Sequence, residues 1–348
     1  MDIIPRNGDF NSKRLSLIKK GIIVISIVFL AVLIPIIIKK PSTDEFILTD
    51  DQGKILFDVE RIDSHPLYLM NFYSDYAFED YLITGISYLN QEVLEIEWAC
   101  TSFATLNNES DMLFGRNFDW SHNPALILFT DPIDGYKSIS MVDLGLIGTN
   151  DDFQVSNNLQ ALLRAPYYVL DGMNEYGLTI SCMAIDNAEN MLDPEKVTLG
   201  SLDFIRLGLD YARNVEEVID LWDNFNVYFP PGPDLHYLIA DPCGNSAVIE
   251  WVDGEMKILR NVYLWQVSTN FVIYESSEIE QQNCIRYITC ESFLSEKYGR
   301  IDKKDAFNLL EAVSQSITQW SAVYNMEKRK VSIIMGRNYN NPIHEFVL

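Results

Sequence analysis

The chain has 348 residues, 48% of them hydrophobic and 12% aromatic, which is enough for one large or two ordinary folded domains and excludes a disordered protein. Its formal net charge of -24 would repel a phosphate backbone, so nucleic acid is excluded as an expected partner. The charge is uneven, because residues 1–40 carry seven Lys or Arg against two Asp.

The first forty residues have the pattern of a membrane anchor. Residues 21–38 form an uncharged apolar run that is just long enough to cross a bilayer as a helix. Basic residues flank the run on both sides, and the chain then turns acidic, so the positive-inside rule places residues 1–20 in the cytoplasm. We predict a single-pass cell-membrane protein with an extracytoplasmic body. The alternative is a protein that is secreted after signal-peptide cleavage.

Residues 39–99 are predicted to form a stalk and a propeptide-like segment. Residues 41–60 are polar and acidic, whereas residues 79–97 contain a helix-like pattern.

Short alternating strands dominate from residue 100 onward. Residues 100–106 and 112–118 flank the turn sequence NNESD and predict a β-hairpin. Helical periodicity interrupts the strands at residues 202–221 and 302–317, the second with Asp302 or Asp305 as its N-cap. Further strands are predicted at 126–132, 136–144, 178–185, 236–242, 246–252, 255–261, 263–270 and 321–339. This order predicts one α+β layered domain over residues 100–348.

The hairpin brings a cysteine beside charged side chains. In an antiparallel pair the start of the first strand lies opposite the end of the second, so Cys100 should lie near Arg116, Asn117 and Asp119. A guanidinium near a thiol increases its thiolate fraction, and a carboxylate can hold an ammonium group. The residue types therefore suit a nucleophile, although a buried cysteine is more commonly a small hydrophobic residue.

The remaining cysteines leave several arrangements open. An extracytoplasmic location permits disulfides, and if Cys100 stays free, three pairings of Cys182, Cys243, Cys284 and Cys290 are possible. The chain has no CxxC motif and four scattered histidines, so we expect neither a metal site nor a cofactor.

The run CTSF, the turn and GRNFDW resemble the opening of the choloylglycine hydrolase (linear amide C–N hydrolase) family of N-terminal-nucleophile (Ntn) hydrolases. Its relatives include penicillin V acylase, acid ceramidase and isopenicillin N acyltransferase. The resemblance continues in order through NEYGLTISCMA, through HYLIADPCGNSAVIEW with the following VSTN, through NCIRY, and through the closing strand segment. It therefore extends over residues 100–348.

The resemblance implies an αββα sandwich of two antiparallel sheets between helical layers, and a cysteine that becomes the first residue of the mature chain. Self-cleavage between Ala99 and Cys100 would free an α-amine that can serve as the base for its own thiol. It further implies that Arg116 supports the thiolate and that Asp119 holds the α-ammonium. Asn270 would stabilise the oxyanion, and Arg286 would complete the polar cluster.

Two departures from the family pattern argue against a bile-salt hydrolase proper. Ala184 aligns where some bile-salt-cleaving members carry Asn, so an oxyanion or substrate contact made there would come from the backbone of Ala184. Fifteen residues separate Asn270 from Arg286, fewer than in those members. The long segment before Cys100 resembles the branch whose propeptide is removed by autoproteolysis.

The resemblance predicts a hydrolase that cleaves a linear, non-peptide or short amide of a small N-acyl compound through a Cys100 thioester. One alternative is an acyltransferase of the isopenicillin N acyltransferase type, in which an amine resolves the thioester. Another is a surface-anchored binding protein without catalysis. The sequence identifies neither the amide nor the oligomeric state.

Overall fold

The computed structural model describes residues 38–39, 45–86, 99–274, 276–340 and 343–348. Its strands are β1 (Ile38–Lys39), β2 (Glu45–Thr49), β3 (Ile55–Asp63), β4 (Leu67–Phe72), β5 (Ala99–Thr105), β6 (Leu113–Asp119), β7 (Ala125–Thr130), β8 (Ser138–Asp143), β9 (Val169–Asn174), β10 (Thr179–Ala184), β11 (Val197–Gly200), β12 (Phe225–Tyr228), β13 (Leu235–Ala240), β14 (Ser246–Val252), β15 (Glu255–Arg260), β16 (Trp265–Ser268), β17 (Thr318–Asn325), β18 (Lys330–Met335) and β19 (His344–Val347). Its helices are α1 (Phe78–Thr84), α2 (Asp152–Asn157), α3 (Asp203–Tyr211), α4 (Val215–Trp222), α5 (Glu278–Asn283), α6 (Ile285–Glu296) and α7 (Lys303–Ala312), with 3₁₀ turns at Leu144–Ile147 and Leu159–Tyr167.

Most strands belong to two sheets that pack face to face. In the described part of the chain, the large sheet has eleven strands in the order β1-β2-β3-β4-β7-β8-β9-β10-β13-β14-β15. The small sheet has six, in the order β16-β5-β6-β17-β18-β19, and a separate parallel pair joins β11 to β12. Helix α3 packs on β9 and β10, and α6 and α7 pack on the small sheet, which produces the expected αββα layers.

Strand alternation divides the apolar residues between two cores. Along β5, Cys100 and Ala104 enter the main core, whereas Phe103 enters a second core with α6 and α7. Successive side chains of a strand point to opposite faces, so one strand serves both cores. The side chain of Cys100 therefore lies in the space between the sheets.

The structure corrects the predicted stalk. Residues 45–86 are folded, because β2, β3 and β4 continue the large sheet and β4 pairs with β7 along its whole length. That pairing is parallel, so the large sheet is mixed and the prediction of two purely antiparallel sheets was wrong at this position. Alternating burial along β4 anchors it in the main core, as expected for a strand with one face packed.

The helix predictions were correct in position and inexact in extent. The pattern over residues 202–221 forms two helices, because Asn214 starts the second one by accepting a hydrogen bond from the Glu217 N–H at 3.0 Å. Asp302, rather than Asp305, is the cap of α7 and accepts from the Asp305 N–H at 2.8 Å.

The N-terminal predictions fall mostly outside the described residues. Residues 1–20, and the predicted transmembrane helix at 21–38 except Ile38, are among the residues that are not described, as are residues 87–98, which include most of the predicted helix at 79–97. Within the described ranges, no helix combines the length and the apolarity that crossing a bilayer requires.

Candidate active site

Strands β5 and β6 pair as the predicted hairpin and carry three residues of the candidate site. Its register sets Cys100 opposite Phe118, Ser102 opposite Arg116 and Ala99 opposite Asp119. Cys100 and Arg116 are both fully buried. The turn after Asn107 is short, so the register is set locally and places the thiol within a few strand positions of the two charged residues.

The Cys100 thiol is protonated in the intact chain. Burial raises its pKa, and the charge of Asp119 acts in the same direction. The nearby charges of Arg116 and Arg286 and a hydrogen bond from the Asp119 backbone N–H oppose this shift without reversing it. All five cysteines are free thiols, so none of the three possible disulfide pairings is present.

Arg116 has an ionic partner that the sequence analysis missed. Its Nε lies 3.6 Å from Oδ2 of Asp171 on β9, and both side chains are completely buried. The Asp171 carboxylate also accepts hydrogen bonds from the hydroxyl of Tyr324 and from Nε1 of Trp320, the latter at 3.3 Å. Among the described residues, none of the three guanidinium nitrogens of Arg116 has a hydrogen-bond partner. A carboxylate in the buried strand VLDGMN was the available signal in the sequence.

Only one of the two carboxylate oxygens of Asp119 has a hydrogen-bond partner among the described residues. Its Oδ1 accepts a hydrogen bond of 2.5 Å from the Thr318 hydroxyl, whereas its buried Oδ2 has no hydrogen-bond partner in the described structure. Burial raises the pKa of this carboxyl to about 6, although Thr318 and the charges of Arg286 and Arg116 act against the rise. An acceptor without a partner beside the Ala99–Cys100 bond can receive an N–H group.

Asn270 and Arg286 both contact the backbone of Cys100, and Ala184 contacts Asn270. The Cys100 N–H donates to Oδ1 of Asn270 at 2.5 Å, and Nδ2 of Asn270 donates to the carbonyl of Ala184 at 2.8 Å. Arg286 donates to Oδ1 of Asn270 at 2.9 Å, to the Thr101 hydroxyl at 3.0 Å and to the Cys100 carbonyl. The structure thus brings all six predicted site residues together, although their catalytic roles remain predictions.

The sequence that contains this cluster matches a known protein family. The family described as linear amide C–N hydrolases, choloylglycine hydrolase family, matches residues 100–299, which is more than half of the chain. The match begins at Cys100.

Solved structures with a similar fold include the conjugated bile acid hydrolase of Clostridium perfringens, with a TM-score of 0.52, 17% identity, and coverage of 72% of this chain and 92% of that one. The penicillin V acylase of Agrobacterium tumefaciens has a TM-score of 0.50 at 15% identity and covers 72% and 86%. At such identities the likeness establishes the fold alone.

A curated relative, an uncharacterized protein of Paramecium bursaria Chlorella virus 1, is 29% identical over 116 residues. These residues cover 31% of this chain and 42% of the viral protein. The chain therefore matches less than half of that relative's length.

Proposed function

The chain belongs to the choloylglycine hydrolase family of linear amide C–N hydrolases, and we propose that it hydrolyses the amide bond of a small N-acyl compound. Cys100 is the nucleophile, released as an N-terminal residue by cleavage after Ala99. The observation that carries the proposal is the convergence of Asn270 and Arg286 on the peptide unit of Cys100. A cysteine that only packs in the core does not need hydrogen bonds from an amide and a guanidinium to its backbone.

The residues around Cys100 suit self-cleavage. Asn270 holds the N–H of the Ala99–Cys100 peptide, and Arg286 holds the Cys100 carbonyl, so the nucleophile is fixed on both sides. Cleavage creates an α-amine with an ordinary pKa near 8, which can take the proton of its own thiol. Oδ2 of Asp119 is then available to accept from the α-ammonium.

In turnover, the Cys100 proton moves to the α-amine and the thiolate attacks the amide carbonyl. The C–N bond breaks with transfer of that proton to the leaving amine, and a thioester remains. Water adds to the thioester, releases the acid and restores the thiol. Asn270 Nδ2 and backbone N–H groups are the candidate oxyanion donors, and Arg116 supplies positive charge with no competing hydrogen bond among the described residues.

Residues 45–86 stay with the enzyme after cleavage in this proposal. They remain attached because β4 pairs with β7 and because Tyr76 and Tyr81 donate hydrogen bonds of 2.7 Å to Asp210 and Asp203 on α3. If residues 21–38 span the cell membrane, this interface tethers an extracytoplasmic enzyme without a covalent link. The membrane anchor itself rests on the sequence alone.

Mass spectrometry of the purified protein, combined with a panel of N-acyl amides, tests the proposal. We expect a chain that begins at Cys100 and liberates the amine from at least one amide, whereas Cys100→Ala should stay intact and inactive. Cys100→Ser, which keeps a weaker nucleophile, serves as the matched control and should retain slow cleavage.

An intact wild-type chain that releases no amine would overturn the proposal. So would a Cys100→Ala protein with the activity of the wild type. Addition of a competing amine separates hydrolysis from acyl transfer, since a transferase would form the new amide in preference to the free acid.

A further inference from the structure

A buried ion pair contacts the backbone of the residues that flank Asn270 in the sequence. His236 on β13 and Glu250 on the neighbouring strand β14 are both fully buried, and His236 Nδ1 lies 2.7 Å from Glu250 Oε1. Neither residue touches Cys100 through a hydrogen bond in the described structure. Burial of a charged pair is costly unless every polar atom finds a partner. The partners of this pair therefore indicate its role in the structure.

Hydrogen-bond geometry assigns the protons of the pair. His236 Nε2 lies 2.6 Å from the Thr269 carbonyl, with the Ser268 hydroxyl at 3.1 Å. A carbonyl oxygen can only accept, so Nε2 of His236 carries a hydrogen and donates it to Thr269, whereas Nδ1 shares a hydrogen with Oε1 of Glu250.

Glu250 is held in its charged form by the residues that follow Asn270. Its Oε1 accepts the Ile273 N–H and its Oε2 accepts the Tyr274 N–H, both at 2.8 Å. Burial alone would raise the pKa of the carboxyl. The hydrogen bond and charge of His236, with the two N–H groups, lower that pKa below its ordinary value instead.

These contacts hold the backbone on both sides of Asn270 in the sequence. His236 holds the backbone immediately before Asn270, at Thr269, and Glu250 holds it three and four residues after, at Ile273 and Tyr274. Strand β16 ends at Ser268, so the segment from residue 269 to residue 274 lies beyond the strand pairing that fixes β16. Beyond the strand, His236 and Glu250 hold the backbone of this segment through three hydrogen bonds.

We propose that the His236–Glu250 ion pair is a positioning device that fixes the Asn270 amide at the reacting carbonyl. The inference rests on the proposed function, because it requires Asn270 to act in the reaction. Loss of either partner's hydrogen bonds should let the 269–274 segment shift, and a misplacement of about 1 Å can cost on the order of a hundredfold in rate. The ground-state binding of the substrate should change little.

A double-mutant cycle between Glu250 and Asn270 tests the proposal on the cleaved enzyme, with the amide that the wild type hydrolyses best. Glu250→Gln should lower kcat by about tenfold to a hundredfold with KM nearly unchanged, and Asn270→Ala by about a hundredfold to a thousandfold. In the Asn270→Ala background, Glu250→Gln should then cost less than about twofold, because the positioned group is gone.

Asp210→Asn is the matched control. Asp210 is a buried carboxylate in an ion pair with Arg206 at 2.6 Å, and it accepts a hydrogen bond from Tyr76, so neither partner belongs to residues 268–274. Its effect on kcat should be small, and it should be the same in the wild-type and Asn270→Ala backgrounds. If Glu250→Gln fails to fold, His236→Gln takes its place, since it removes the charge and keeps an N–H toward Thr269.

Independent, multiplicative losses from Glu250→Gln and Asn270→Ala would overturn this inference and leave the proposed function intact. A Glu250→Gln loss no larger than that of Asp210→Asn would do the same. A wild-type protein that hydrolyses no amide would overturn the proposed function itself, so the two failures are distinguishable.

Discussion

The two sides of the candidate site satisfy their buried polar atoms in opposite ways. On the hairpin side, Arg116 and Oδ2 of Asp119 have no hydrogen-bond partner among the described residues. On the side of the 269–274 segment, His236, Glu250 and the amide of Asn270 are all partnered. An unpaired buried polar group costs about 1–3 kcal/mol, so the hairpin side is tolerated at a cost that the other side avoids.

In the proposed mechanism, the difference separates the charged groups beside Cys100 from His236 and Glu250, which support Asn270. Donors and acceptors around Cys100 that lack a hydrogen bond are available for charges that appear during the proposed reaction, such as an α-ammonium or a thiolate. A support must not move, and full hydrogen bonding makes it rigid. Changes on the hairpin side should therefore affect chemistry more than stability, and those on the other side should act through the position of Asn270.

Asp119→Asn should have the largest effect among the tests of this comparison. The amide keeps the size of the side chain and an acceptor for Thr318, but it loses the charge that holds the α-ammonium in the proposed mechanism. We expect kcat to fall by about a hundredfold or more, while the cleaved protein stays folded.

Initial rates and thermal unfolding of the same preparation check this prediction. Asp143→Asn is a suitable control, because Asp143 is also a buried carboxyl whose pKa burial raises to about 6, and it lies at the end of β8 next to Asn123. Equal losses of kcat in Asp119→Asn and Asp143→Asn would contradict the proposed difference between the hairpin side and the side of the 269–274 segment.

The pH dependence of stability gives a second test, of intermediate size. In the intact chain the pKa of Asp119 is about 6, above its ordinary value of 3.8, so the folded state binds this proton more tightly than the unfolded state. Its contribution to the free energy of unfolding therefore decreases as the pH rises from about 4 to about 6. Thr318→Val removes a hydrogen bond that lowers this pKa and should extend the decrease to a higher pH.

Chemical denaturation of the uncleaved Cys100→Ala protein between about pH 4 and 8, with and without Thr318→Val, measures the effect. Other buried carboxyls titrate in the same pH range. The effect of Asp119 is therefore measured by the difference between the two curves of unfolding free energy against pH. Thr130→Val, which removes another buried threonine hydroxyl at 2.8 Å from Ser138, should shift stability by a constant amount. A constant shift for Thr318→Val as well would contradict the prediction.

Ser268→Ala should have the smallest effect. The hydroxyl is 3.1 Å from His236 Nε2, but that nitrogen already donates to the Thr269 carbonyl. We expect a loss of at most about 1 kcal/mol in the free energy of unfolding and less than about threefold in kcat. A loss as large as that of Glu250→Gln would show that the serine, rather than the ion pair, supports the segment.

Local patterns in the sequence were sufficient for the hairpin and for most strands. Residues 100–106 and 112–118 pair across one short turn, so Cys100, Arg116 and Asp119 could be placed together from spacing alone. The positions of Asn270, Arg286 and Ala184 came from the family resemblance, because no local rule connects residues that are separated by 86 or more positions in the chain.

Three features became visible only in the folded chain. Residues 45–86 joined the large sheet through a parallel pairing of β4 with β7, which an acidic, stalk-like composition did not indicate. Asp171 met Arg116 across the space between the two sheets, and His236 met Glu250 beneath the Asn270 segment.

The physical reason is the range of the interactions. Strand alternation, turns and helix caps are set by neighbours within a few residues, so they can be read directly from the order of the residues. A buried charge, by contrast, is stable only beside partners that folding brings from other strands. Local patterns were therefore enough to place Cys100 in its hairpin beside Arg116 and Asp119, whereas the packing of the two sheets selected the charged partners around them.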